Sequence, residues 1–166
     1  MILLIGYGNR LRRDDGLGPA LLDLAGARFA APDLCTFELQ QLVPELAAEL
    51  AAPGVTAALF LDAGPADAAS PPGTVTVSQL LPRVDGSPLG HQLAPEELLT
   101  VARALYGATP AAWLVTVAGA DFGYGGELSA AVRSGLDEAL AVVGTLLTTI
   151  RGEAPATARS AGSRPG

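Results

Sequence analysis

Three side chains in this sequence have the types and the setting that chemistry requires. Asp15 follows a short apolar run at the start of the chain, inside Gly6-Tyr7-Gly8-Asn9-Arg10-Leu11-Arg12-Arg13-Asp14-Asp15-Gly16-Leu17-Gly18. Asp62 closes the run Ala57-Ala58-Leu59-Phe60-Leu61, and His91 is the only histidine. An acid that ends a stretch as apolar as 57–61 must emerge into a cleft, cap a loop or pair with another group. Two carboxylates and one imidazole make an oxygen and nitrogen donor set suited to nickel, zinc or iron, with positions left open for water or substrate. The spacing is not a compact metal motif, so a loop-capping Asp62 and a surface or hydrogen-bonded His91 stand beside the ligand reading.

Other chemistries fit less well. Gly6 and Gly8 after a strand invite a dinucleotide fingerprint, but its third glycine position holds Leu11. Asp14 and Asp15 would also repel phosphate at the helix start where it should sit. A carboxylate at that place is electrostatically favoured and stays ionised, so the two acids read as a helix start plus a hard oxygen ligand. There is no Gly-x-Ser-x-Gly elbow and no His-Glu-x-x-His, and Cys35 has no evident histidine partner. Asn9 and Asp14 read by default as turn-forming residues.

The elements that must position these residues follow from apolar patterning. Strand-like runs at 2–7, 36–40, 57–62, 74–78 and 113–118 alternate with helical patterns, which is the order of an α/β domain with helices on both faces of a largely parallel sheet. The carboxyl ends of neighbouring parallel strands share one edge, so Asp15 and Asp62 can converge there. The first helix is expected over 15–29 with Leu17, Leu21 and Leu24 inward. A second begins near Pro44 and carries Leu46 and Leu50. A third begins at Pro95, with Glu96 and Glu97 in its first turn and Leu98, Val101, Ala102 and Leu105 inward. Ala94 offers it no side-chain cap. The last is marked by Leu128, Val132, Leu136, Ala139, Leu140, Val143, Leu147 and Ile150. The Pro, Gly, Ala and Ser-rich stretches 63–73 and 82–90 flank a short strand and could rim a cleft.

Length and composition bound the rest. At 166 residues and 49% hydrophobic content the chain suits one globular domain with a real core, expected over 1–151. Residues 152–166 lack apolar periodicity and read as a disordered tail. A net charge of −7 argues against nucleic acid or an anionic membrane as the main partner. All ten basic residues are arginine, which we read as coding bias rather than chemistry. The single Cys35 excludes an internal disulfide and fits a reducing, cytoplasmic setting. No stretch is long and apolar enough to be a membrane span, and 1–5 lacks the features of a signal peptide.

Taken with their order, several blocks of this sequence resemble the [NiFe]-hydrogenase maturation endopeptidases, which remove a carboxyl-terminal extension from the hydrogenase large-subunit precursor. The blocks are Gly6-Tyr7-Gly8-Asn9 with Leu11, Asp14-Asp15-Gly16 and Gly18; Gln41-Leu42 with Pro44-Glu45-Leu46; Asp62-Ala63; Pro72-Gly73-Thr74; His91-Gln92-Leu93 with Pro95-Glu96-Glu97-Leu98; and Phe122-Gly123 with Leu128-Ser129. The resemblance implies a three-layer, phosphorylase/hydrolase-like sandwich whose twisted five-stranded sheet has one antiparallel strand, assigned to 74–78. It also implies a catalytic and metal-binding set of Asp15, Asp62 and His91. Many members carry Glu where this chain has Asp15, a side chain shorter by one methylene. The metal would be nickel supplied by the precursor, the partner would be that precursor, and the free protein need carry none. Ligation through a neutral His91 would weaken as it protonates near or below pH 6.5. A non-catalytic nickel-sensing accessory protein would use the same three ligands to hold a precursor without cutting it.

Overall fold

Residues 1–83 and 93–153 are described by the computed structural model. The apolar run at the start of the chain forms β1 (Ile2–Tyr7), and the other strands are β2 (Leu34–Leu39), β3 (Ala57–Pro65), β4 (Val75–Leu80) and β5 (Ala111–Gly119). They make one sheet in the order β2-β1-β3-β5-β4. Only β4 runs antiparallel, against β5. The helices are α1 (Leu17–Arg28), α2 (Leu46–Leu50), α3 (Pro95–Tyr106) and α4 (Ala130–Glu153), with a 3₁₀ turn at Arg13–Gly16 leading into α1. The expected three-layer sandwich and its antiparallel fourth strand are what the molecule has.

The central strands read as unbroken apolar runs because both of their faces are covered. Ile2 and Leu4 of β1 and Leu59 and Leu61 of β3 pack into the layer with Leu17, Leu21 and Ala25 of α1 and Val132, Val143 and Leu147 of α4. Leu3, Ile5, Ala58 and Phe60 point the other way, to Leu46 and Leu50 of α2 and Leu98 and Leu99 of α3. Ile5 pairs with Phe60, and Phe60 with Leu114, so the two cores are in register across the sheet.

Several local expectations are corrected. Residues 13–16 form the 3₁₀ turn, so α1 begins two residues later than predicted. Its inward stripe is Leu17, Leu21, Leu22 and Ala25; Leu24 lies off that stripe and is exposed. In α3, Leu99 is buried in place of Leu105, because residues 103–106 of the last turn are exposed on every side. The third strand does not stop at Asp62. Its pairing with β1 ends at Leu61, opposite Gly6, whereas its pairing with β5 continues from Asp62–Thr116 to Pro65–Gly119. α4 extends to Glu153, two residues past the expected domain end, and the rest of the tail, 154–166, lies outside the described residues. So does 84–92, with His91 and most of the 82–90 loop. Among the described residues no helix is long and apolar enough to cross a membrane.

Candidate functional site

The strand order changes direction between β1 and β3, since the chain goes from β1 to one side and then returns to the other. In open α/β sheets that switch point leaves a crevice outside the carboxyl ends of the strands. Asp62 is the first residue of β3 beyond its pairing with β1, so its side chain stands at the crevice, on the α2 and α3 side of the sheet with Ala58 and Phe60. Tyr7, the last residue of β1, has its phenol on the same side, against the Asp62 carboxylate.

Asp62 is mostly buried, and its Oδ1 accepts the N–H of Ala63 at 2.8 Å. Burial pushes its carboxyl up to about 6. The Tyr7 hydroxyl and the Ala63 N–H oppose that shift, and the charge of Asp15 adds to it. The Tyr7 phenol is driven above its ordinary range, first by burial, then by Asp62 and, from the first turn of α3, Glu96. It therefore stays protonated at any working pH, facing a carboxyl pushed up to about 6.

Asp15 reaches the same crevice from the 3₁₀ turn. Its Oδ2 accepts the N–H of Asn9 at 2.9 Å, while Asn9 Oδ1 accepts the N–H of Leu11 at 2.9 Å and closes the turn. Gly8 makes this possible. Its backbone is left-handed, at φ 133, and a Cβ there would collide with the Asp15 carbonyl. The turn can lie on the end of β1 only because position 8 carries no side chain.

The neighbouring acid has a different task. Asp14 is fully buried. Its Oδ2 accepts the N–H groups of Ala120 at 2.8 Å and Asp121 at 2.9 Å, and its Oδ1 accepts that of Ser129 at 2.6 Å. Burial alone would raise its pKa, but these N–H groups outweigh it and hold the carboxyl below its ordinary range. Asp14 thus ties the 3₁₀ turn to the segment joining β5 and α4.

Above the crevice, α3 starts without a capping side chain at Ala94, as its sequence suggests. Glu97 supplies the other half of a capping box, its Oε2 accepting the Ala94 N–H at 2.8 Å. Asp15 and Asp62 both stand at the carboxyl edge of the sheet, near enough for the Asp15 charge to raise the Asp62 carboxyl. His91 lies outside the described residues, and among those described no three His, Cys, Asp or Glu side chains gather as a metal site. Tyr7 and the proximity of Glu96 to it were not anticipated. The one available signal was an aromatic hydroxyl set between two glycines at a strand end.

No family model matches the sequence, and no curated protein does. Among solved structures, the chain is similar to the hydrogenase 2 maturation peptidase of a Thaumarchaeota archaeon, at 25% identity and TM-score 0.64, with 88% of this chain and 97% of that one covered. It is also similar to the hydrogenase maturating endopeptidase HybD of E. coli, at 21% identity and TM-score 0.71, covering 92% and 93%. A third is the [NiFe] hydrogenase maturation protease HycI of Thermococcus kodakarensis, at 19% identity and TM-score 0.68, covering 89% and 92%. The chain therefore has the fold of the [NiFe]-hydrogenase maturation peptidases, as its ordered sequence blocks led us to expect.

Proposed function

We propose that this chain is a hydrogenase maturation endopeptidase, a hydrolase that removes the carboxyl-terminal extension of a [NiFe]-hydrogenase large-subunit precursor already loaded with nickel. The observation that carries this reading is the convergence of Asp15 and Asp62 at the switch point of a sheet built like those of the maturation peptidases. Action in the cytoplasm belongs to the same reading and agrees with the single free Cys35.

The donor set fits a cation brought by the substrate. Asp62 is a largely buried carboxylate whose charge only one backbone N–H and one nearby phenol offset among the described residues. Asp15 commits Oδ2 to Asn9 and leaves Oδ1 without a hydrogen bond among the described residues. Two like charges facing one crevice are costly alone and are relieved by a metal between them. Asp15 and Asp62 would supply oxygen ligands, and His91, by resemblance, an imidazole nitrogen. The bound metal would polarise the scissile carbonyl or lower the pKa of a water. The Tyr7 phenol beside Asp62 favours its ionised form, and Asp62, pushed up to about 6, is matched to accept a proton at neutral pH.

The test is cleavage of a nickel-loaded precursor, followed by loss of the extension in the mass spectrum, by wild type and by Asp62→Ala. Wild type should cut and the variant should not. Equal cleavage by both would remove Asp62 from the mechanism. Stable binding with an intact extension would point instead to a nickel-sensing accessory protein.

A further inference from the structure

The loop that carries Asp15 also displays apolar side chains in solvent. Leu11 is 70% exposed and Tyr124, on the segment after β5, is 89% exposed. Backbone pairing brings their segments together: the Gly125 N–H donates to the Leu11 carbonyl at 2.9 Å and the Arg13 N–H donates to the Gly125 carbonyl at 2.8 Å. Arg13 holds a left-handed backbone, φ 43, which is unfavourable for a residue with a Cβ. Its guanidinium meets Asp121 Oδ2 at 2.9 Å and the Tyr124 carbonyl at 3.2 Å, and buried Asp14 clamps the same two segments. The fold thus accepts local strain to present two apolar side chains on a fixed backbone, where little ordering entropy remains to be lost on binding.

Arg12 follows Leu11 in the pairing, opposite Gly125. Its Nε and Nη2 donate to the Phe122 carbonyl at 3.3 and 3.1 Å. Arg10 is paired with Asp23 and Glu38 and Arg13 with Asp121, whereas Arg12 has no carboxylate partner among the described residues. In a chain of net charge −7, an arginine left without a carboxylate near an exposed tyrosine has the residue types of a protein-binding hot spot, and exposed Leu11 adds apolar area beside them. The patch is also continuous with the site, since only the Asn9 turn separates Leu11 from the Asp15 carboxylate.

We propose that Leu11, Arg12 and Tyr124 form a docking surface for the folded body of the precursor, engaging an apolar patch that bears a carboxylate and so delivering the tail to Asp15 and Asp62. This rests on the peptidase reading above and adds where the substrate is held. The experiment uses the nickel-loaded precursor with three proteins: wild type, Leu11→Ser with Tyr124→Ser, and Arg12→Glu. Affinity for the precursor is measured on immobilised enzyme, and KM and kcat by mass-resolved cleavage. Both variants should bind at least about tenfold more weakly and raise KM to match, with kcat at saturation within about twofold of wild type. The Leu11→Ser, Tyr124→Ser variant should melt near wild type, because its altered side chains are exposed, and Arg12→Glu should melt only slightly lower, having lost its bonds to the Phe122 carbonyl. Unchanged affinity and KM in both variants would overturn the docking surface. Weakened binding by the variants in a system where wild type never cuts would support the surface while sinking the peptidase reading.

Discussion

Asp14 and Asp62 stand at the same edge of the sheet, and the backbone around them treats them oppositely. Asp14 is buried among N–H groups contributed from Ala120, Asp121 and Ser129, and stays ionised below the ordinary carboxylate range. Asp62 is buried with one backbone N–H and the Tyr7 phenol, faces a second acid, and rises to about 6. Desolvation pushes both carboxyls upward, fully buried Asp14 and partly buried Asp62 alike, so it does not by itself make an acid reactive. What differs is how many donors the fold spends on the charge. A fully satisfied carboxylate is a fastener, and an under-satisfied one keeps its oxygens for a cation or a proton.

The sharpest way to break the comparison is to neutralise each acid in turn. Asp62→Asn keeps shape and removes charge, and should lower cleavage of nickel-loaded precursor at least about 1000-fold, since on the proposed reading it removes both a ligand and a base. Its melting temperature should equal or exceed that of wild type, because a costly buried charge has gone. Asp14→Ala should do the reverse and fail first in folding. It strands buried N–H groups and should cost about 3 kcal/mol, lowering the melting temperature by roughly 6–12 °C for a chain of this size. A calorimetric scan showing no loss would remove Asp14 from its structural role.

The pH dependence separates the pair again. Asp62 has a folded pKa of about 6, above the ordinary value of 3.8, so between those values the folded state holds a proton that the unfolded chain has released. Its contribution is therefore fully present below about pH 4 and is lost as pH rises through 6, amounting to about 3 kcal/mol. Asp14 acts with the opposite sign, because its folded pKa is depressed: its contribution is present above the ordinary carboxylate range and is lost as pH falls through the folded value. Denaturation of metal-free protein across pH 4 to 7 should show the Asp62 slope in wild type and its absence in Asp62→Asn. Equal slopes in the two proteins would contradict the assignment.

The smallest effect belongs to Tyr7→Phe. Loss of the hydroxyl removes a group that favours the ionised Asp62, so the acid limb of the cleavage profile should move upward, by up to about one pH unit, with roughly a tenfold loss of rate below it. An unmoved limb would mean that Tyr7 only fills space.

Much of this arrangement was legible in the linear chain, for reasons that also explain the misses. The run from Ile2 to Ile5 and the run from Ala57 to Leu61 announce strands buried on both faces, and two acids following such runs must share the carboxyl edge. The exchanges of Leu22 for Leu24 and Leu99 for Leu105 arise because several leucines satisfy a helical period equally well, and only the packed sheet decides among them. The work of Asp14 was hidden because its partners lie more than a hundred residues away, at Ala120, Asp121 and Ser129, and are backbone groups that no side-chain pattern advertises. Tyr7 escaped because an aromatic residue at a strand end is usually core, and its chemistry appears only once Asp62 is beside it.

Whether this chain reads a metal in its substrate is the decisive question about its function. Purified protein should be incubated with nickel-loaded precursor and, separately, with the nickel-free form, and the mass of the large subunit followed over time. Loss of the carboxyl-terminal extension from the nickel-loaded form alone is the predicted result. Cleavage of both forms at equal rates, or of neither, would contradict it.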